Sequence, residues 1–289
     1  MKARAYVEDR VFARQPDIRV AALFVAEPAR YACLVLHALR AELLECVEQV
    51  NDEGVAHTRL AWWGQELAAS VEGQPAHPVA QALQPLIRDH QLPAEYLMEM
   101  LDGATMDLRP DGYESLNELL LRCHRLDSMT QILCVHVCGY EDHNSIKFAH
   151  NLGVATALVR LITRAGADYQ RNRLRLPHDL LARHGATPAD LGGSTTPPRM
   201  RAVLHELGDT ASEHFNLALA LLPAVDRHRQ RGAMIQLRLA HRLLAQLRRD
   251  DFEVLAREQQ LRPLTRLWVA WRAARKEEKT ARSDSANSA

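Results

Sequence analysis

The feature that most constrains this chain is the spacing of its apolar residues. They recur at three- and four-residue intervals in almost every segment: Val35, Leu39, Leu43, Cys46 and Val50 in one run, Leu116, Leu119, Leu120 and Cys123 in another, Leu237, Leu244 and Leu247 in a third. Side chains three and four apart share one face of an α-helix, whereas a half-buried strand needs alternation, and no convincing alternating run is present. Composition agrees. Of 289 residues only 13 are Gly and 13 are Pro, and Leu and Ala far outnumber the residues that favour sheets. An all-α protein follows. Breaks at Asp52-Glu53-Gly54, Glu72-Gly73-Gln74-Pro75, Arg109-Pro110-Asp111-Gly112 and Cys138-Gly139-Tyr140, and across Leu191 to Pro198, cut it into about ten helices. No repeat of about 30 to 50 residues is visible, which disfavours a solenoid.

Composition also excludes whole classes of function. No apolar run approaches the ~18 residues needed to cross a bilayer, and the charged start MKARAYVEDRVFAR lacks an export signal, so the chain reads as soluble and cytoplasmic. Five Cys, at 33, 46, 123, 134 and 138, show no paired CxxC spacing and are expected as reduced thiols. Net charge is zero, yet residues 1–145 carry 12 basic and 22 acidic side chains, and residues 146–289 carry 24 and 14. The basic residues lack interleaved aromatics, so nucleic acid is not an expected partner. Halves that attract each other, or an anion site, account for the asymmetry.

Two segments carry the candidate chemistry. Glu48 and Asp52 stand four apart at the end of the helix beginning near Ala29, so their carboxylates share a face and could grip one hard cation. A solvated acidic face is the simpler reading; a cavity with a charged mouth is the other, because Leu34, Ala38 and Ala41 lie upstream on that face. In residues 151–177, Arg160, Arg164 and Asp168 form a ladder one turn apart, with the small residues Ala149, Gly153 and Ala157 upstream. Close helix packing and a cavity both fit those small residues. Leu158 and Ile162, opposite, read as core. Other groups weigh less. Cys134, His136 and Cys138 with His124 lack zinc spacing and read as core or interface thiols. Trp62 and Trp63 near Arg59 read as packing with a cation–aromatic contact, and Asp102 and Asp107 as surface or capping groups. No Ser-His-Asp, P-loop or glycine-rich nucleotide motif is present.

In order, EQVNDEG, RLAWWGQEL, LGVATALVRLITRAGADYQRNRLRLP and DLLARHG resemble the squalene/phytoene synthase family of head-to-head prenyltransferases, from about Asp17 to Trp271. RLAWWGQEL, preceded by ALRAELLECVEQVNDEG, is most similar to the branch that includes a mitochondrial complex I assembly factor and its bacterial relatives. The resemblance implies an isoprenoid synthase-type helical bundle around a central apolar cavity, a domain spanning residues 17–272, with residues 273–289 left as a disordered polar tail. It also implies two acidic motifs that hold Mg2+ against a substrate diphosphate. Glu48, Asp52 and Glu53 match the first, and of the second, Thr163-Arg164-Ala165-Gly166-Ala167-Asp168, only Asp168 keeps its acid.

Arg164 stands where an Asp is expected. It can pair with Asp168 one turn on and reach Glu48 or Asp52 across the cavity, taking the place of a metal ion. Mg2+ affinity then falls, while a diphosphate can still bind to Arg160, Arg164, Arg171 and Arg173. The expected function is a non-catalytic or weakly active protein that binds a prenyl diphosphate or other isoprenoid lipid, or that acts in complex assembly through a protein partner. The alternative is an active Mg2+-dependent head-to-head prenyltransferase with Glu48, Asp52 and Asp168 as residual ligands. A peripheral membrane contact would suit such ligands, although no segment reads as basic and aromatic enough to make one.

Overall fold

The computed structural model describes residues 2–49, 52–109, 111–256 and 259–287, with side chains described through Glu277 at the C-terminal end. Val50 and Pro110, which the sequence places in an apolar stripe and a break, lie outside them, as do Ser288 and Ala289 of the expected tail. In chain order the α-helices are α1 (Lys2–Arg14), α2 (Pro16–Ala22), α3 (Ala29–Glu48), α4 (Glu53–Glu72), α5 (Pro78–His90), α6 (Ala94–Thr105), α7 (Leu116–Arg122), α8 (Met129–Cys138), α9 (Asn144–Tyr169), α10 (His178–Arg183), α11 (Pro198–Leu221), α12 (Arg231–Arg249) and α13 (Pro263–Asn287). Only an isolated bridge, Tyr113 to Pro177, interrupts this all-helical pattern among the described residues.

The turn chemistry sets the boundaries. Asp52 caps α4 by accepting a hydrogen bond from the Val55 amide at 3.0 Å, and Gly73 ends it in a left-handed conformation at φ 100°, as N-caps and C-terminal glycines commonly do. Two large apolar cores result, with a smaller third between α2, α12 and α13. One is built mainly on α9, α11 and α12, with Leu158 and Ile162 fully buried in it as expected; the other is built on α1, α3 to α6 and α8. The 26-residue α9 packs against α8, α11 and α12, and so joins them.

Between α7 and α8 the helix does not break but widens into a π-helical turn, Cys123–Ser128. Residues five apart diverge on an α-helix but come nearly into line on a π-turn, whose hydrogen bonds run from i to i+5. Arg122 and Asp127 are five apart, and Arg122 Nη1 donates to Asp127 Oδ2 at 2.6 Å. Two glycines clamp this turn. A Cβ on Gly153 of α9 would lie 2.3 Å from Ser128 Cα, and one on Gly103 of α6 would lie 2.7 Å from the Leu126 amide nitrogen. Of the two readings left open for the small residues of α9, close backbone packing holds at Gly153.

At the C-terminal end the described residues continue as helix. The expected tail from Ala273 is a continuation of α13, and Ala273, Ala274 and Glu277 are buried against the bundle. Arg227 reaches Glu277 at 3.4 Å. The polar character of this stretch concealed a narrow contact face made of alanines, which carry little hydrophobic signal.

Candidate functional site

The site is built from α3, the 3-10 turn Met106–Leu108 after α6, the end of α7, the π-turn, α9 and the segment after α9, and its charged residues form two tiers. The inner tier is a buried hub. Arg122 donates to both carboxylate oxygens of Asp107, at 3.0 and 2.6 Å, and reaches Asp127 on its other side. Arg40 from α3 donates to Asp127 at 2.8 Å and Arg160 from α9 at 3.2 Å. Arg175 and the Tyr113 hydroxyl complete the shell around Asp107. Arg122 is 1% exposed and the Asp107 side chain 0%, so neither ion is compensated by water and each relies on the other. Burial by itself would raise the Asp107 pKa, but Arg122 and Arg175, with the hydrogen bonds of Arg122 and Tyr113, hold it far below the usual carboxylate range. Burial likewise opposes ionisation of Asp127, which Arg40, Arg160 and Arg122 keep lowered.

The outer tier lies at the rim. Arg164 donates to Glu48 Oε2 at 3.2 Å and to Asp168 Oδ1 at 3.3 Å, and Arg160 stands 3.9 Å from Glu48. Arg173 donates to the Glu48 backbone carbonyl. Burial would raise the Glu48 pKa, yet Arg164 and Arg160 lower it. The rim is a crevice of about 10 Å3 lined by Glu48, Arg122, Arg160, Leu161, Arg164, Asp168 and Arg175, room for about one water. Arg164 Nε and Arg175 Nη2 are buried there with no hydrogen-bond partner.

The sequence-derived set is therefore only partly assembled. Glu48, Arg160, Arg164 and Asp168 come together as Arg164 was expected to arrange. Asp52 is spent as the cap of α4, and Glu53 is exposed in its first turn. Arg171 is exposed and does not line the crevice, whereas Arg175 does. Asp107, read as a surface or capping group, is instead the centre of the buried hub. Asp127, Arg40 and Arg122 were missed: Arg40 meets Asp127 from 87 positions away, and Arg122 and Asp127, five apart, face each other only because the helix widens between them. The acidic first half and basic second half do attract each other here, through Glu48–Arg164, Asp127–Arg160 and Asp107–Arg175.

Magnesium needs several hard oxygen ligands turned toward one point. The residues present do not fit it. Glu48 and Asp168 face Arg164, Asp52 faces its own helix end, and no group of three or more His, Cys, Asp or Glu side chains able to hold a metal occurs among the described residues. The thiol cluster is no exception: Cys33 and Cys138 lie 3.5 Å apart as free thiols.

Behind the hub lies a cavity of about 480 Å3, within the range of small-molecule sites. Its lining mixes Ile18, Val159, Leu243 and Leu261 with His37, Arg40, Asp127, Gln131 and Arg160. Arg160 borders both cavity and crevice. Burial, then Arg40, pushes the His37 pKa down to about 3, so this ring is neutral at pH 7, with both nitrogens unpartnered.

An all-helical bundle with facing charged segments on α3 and α9, and a cavity behind them, defines the isoprenoid synthase-type fold. The sequence profile of the squalene/phytoene synthase family matches residues 14–268, and the chain belongs to that family. Relatives of two kinds are found. It is 24% identical over 255 residues to the rat NADH dehydrogenase (ubiquinone) complex I, assembly factor 6, covering 86% of this chain and 76% of that protein. It is 28% identical over 196 residues to the phytoene synthase of Mycobacterium tuberculosis, covering 67% of this chain and 65% of that one. Among solved structures, a dehydrosqualene synthase in complex with ligand superposes with a TM-score of 0.85 at 16% identity, covering 98% of this chain and 97% of the other.

Proposed function

We propose that this chain is a non-catalytic binding protein of the squalene/phytoene synthase family, one that takes a prenyl diphosphate or a related isoprenoid lipid. The carrying observation is the position of Arg164 between Glu48 and Asp168. Around crevice and hub, Arg40, Arg122, Arg160, Arg164, Arg173 and Arg175 face Glu48, Asp107, Asp127 and Asp168, a formal excess of two positive charges. Such a site repels a divalent cation and attracts an anion. The unpartnered Arg164 Nε and Arg175 Nη2 donors suit a phosphate oxygen, once the rim side chains give way to admit it. Arg160 would link that anion to the cavity, where an isoprenoid chain has room. Without a metal to stabilise the departing diphosphate, prenyl transfer loses its main source of charge stabilisation. The assembly-factor relatives favour a role in complex assembly for such a ligand-holding protein.

The test is incubation of the purified protein with farnesyl or geranylgeranyl diphosphate and Mg2+, following diphosphate release and extracting the lipid products. The expected result is binding without release, with binding weakened by Arg164→Ala. Release with a head-to-head product overturns the proposal and makes the chain an active transferase. Neither binding nor release removes the ligand and leaves only the assembly role. Arg164→Asp with Ala167→Glu restores the acidic pattern, and Mg2+-dependent release from that variant alone would trace inactivity to these two positions.

A further inference from the structure

α13, whose Arg266 borders the cavity on the inner side, turns an apolar stripe outward. Leu264, Leu267, Trp268 and Trp271 are spaced i, i+3, i+4, i+7 and are 81, 43, 53 and 48% exposed, while Arg266, Ala270, Ala273 and Ala274 of the same helix are buried. The helix is therefore amphipathic twice over: one face is used by the fold, and a second, opposite face is unpartnered. Large exposed apolar patches on a soluble bundle mark an interaction surface. Arg272 lies over the Trp268 ring at 5.3 Å and Arg275 over Trp271 at 5.0 Å, so each indole sits beside a positive charge.

The charge around this stripe decides what can cover it. α12, which packs against α13, carries five Arg and no Asp or Glu. Arg242, Arg249 and Arg262 line a groove of about 450 Å3 at the foot of α13, with Asp250 the one acidic residue among the described residues of its lining. A second copy of the chain would bring this basic surface against itself. An acidic surface with an apolar interior matches both parts: Trp and Leu enter the interfacial layer, and the arginines meet phosphates. No helix among the described residues is long and apolar enough to cross a membrane, so the contact is one of lying on the surface.

We infer that α13 and the Arg242–Arg249–Arg262 groove form a docking face for an anionic phospholipid bilayer. The sequence held these residues, but a repeat of Trp and Arg within one helix does not say which face the bundle buries. The inference does not depend on what the crevice binds.

The experiment uses the full chain in flotation with vesicles of phosphatidylcholine alone and with phosphatidylglycerol added, together with quenching of Trp fluorescence by brominated lipid. The expected result is binding to the anionic vesicles that weakens as salt is raised, with the indoles quenched. Trp268→Ser with Trp271→Ser should weaken binding by about tenfold or more. Arg242→Gln, Arg249→Gln and Arg262→Gln together should remove the preference for anionic over neutral vesicles, a loss of roughly tenfold to a hundredfold. All five side chains are exposed, so circular dichroism should show the variants folded. Equal affinity for both vesicle types, or binding unchanged in the Trp double variant, overturns the inference. So does a stable dimer that the same Trp substitutions dissociate, since the stripe would then be covered by a second copy.

Discussion

The buried hub and the open rim use the same residue types for different ends. Asp107, Arg122 and Asp127 form ion pairs closed off from water, while Glu48, Arg164 and Asp168 form theirs at a mouth where the Arg164 side chain is 35% exposed. Removing one partner of a buried pair strands a charge in a medium that cannot solvate it; at the rim, water takes the partner's place. The hub therefore belongs to the fold, and the rim is the part free to change its ligand.

Stability measurements can break this distinction. The largest effect is expected for Arg122→Met, which leaves Asp107 and Asp127 without their shared cation: a loss of about 3–5 kcal/mol in urea unfolding at pH 7. A loss below that of the rim variant would show that the hub is not a structural unit. Next comes Gly153→Ala, whose Cβ would lie 2.3 Å from backbone at Ser128. It should cost about 3 kcal/mol and separate α9 from the π-turn, read as a fall in the unfolding midpoint.

A smaller and pH-dependent effect is expected for His37, the neutral ring beside Arg40. Its pKa in the folded chain, about 3, is depressed from an ordinary value near 6.5. The unfolded chain therefore takes up the proton first as pH falls, and stability drains away from about pH 6.5 down toward the folded pKa. Between pH 7.5 and 5 this one ring should account for about 2 kcal/mol. His37→Phe should flatten the profile by that amount relative to the parent; parallel profiles would mean the ring is solvated through the cavity. The depressed carboxylates of the hub act in a lower window, being lost only as pH falls below about 4. Smaller still is Arg164→Ala, expected to cost about 1 kcal/mol, because Arg164 itself is partly exposed although Asp168 is buried. A cost near that of Arg122→Met would place the rim among the structural pairs.

Much of the fold was legible because helical periodicity is local. Val35, Leu39 and Leu43, or Leu237, Leu244 and Leu247, reveal their shared face within a few turns, and most breaks fell at Gly and Pro. The rim was partly legible for the same reason, since Arg160, Arg164 and Asp168 lie one turn apart on α9. Asp52 misled because an acid at a helix end serves as a cap or as a ligand with the same sequence. The hub was not legible: its members come from α3, the 3-10 turn after α6, the end of α7, the π-turn, α9 and the segment after it, and the one short link among them, Arg122 to Asp127, has a spacing of five that an α-helix would not bring together. Nor was the second face of α13, where small alanines do the burying and the tryptophans stay out.

By itself, then, the sequence determined that the chain is helical, which family it resembles, and that Arg160, Arg164 and Asp168 form a charged ladder. Those are properties of neighbours along one helix, fixed by its 3.6-residue repeat. Only the tertiary structure decided that Arg164 holds Glu48, that Asp107 is buried, and which side of α13 meets solvent. Burial depends on what the rest of the chain brings alongside, and it is burial that sets whether a charge is a cost, a cap or a binding site.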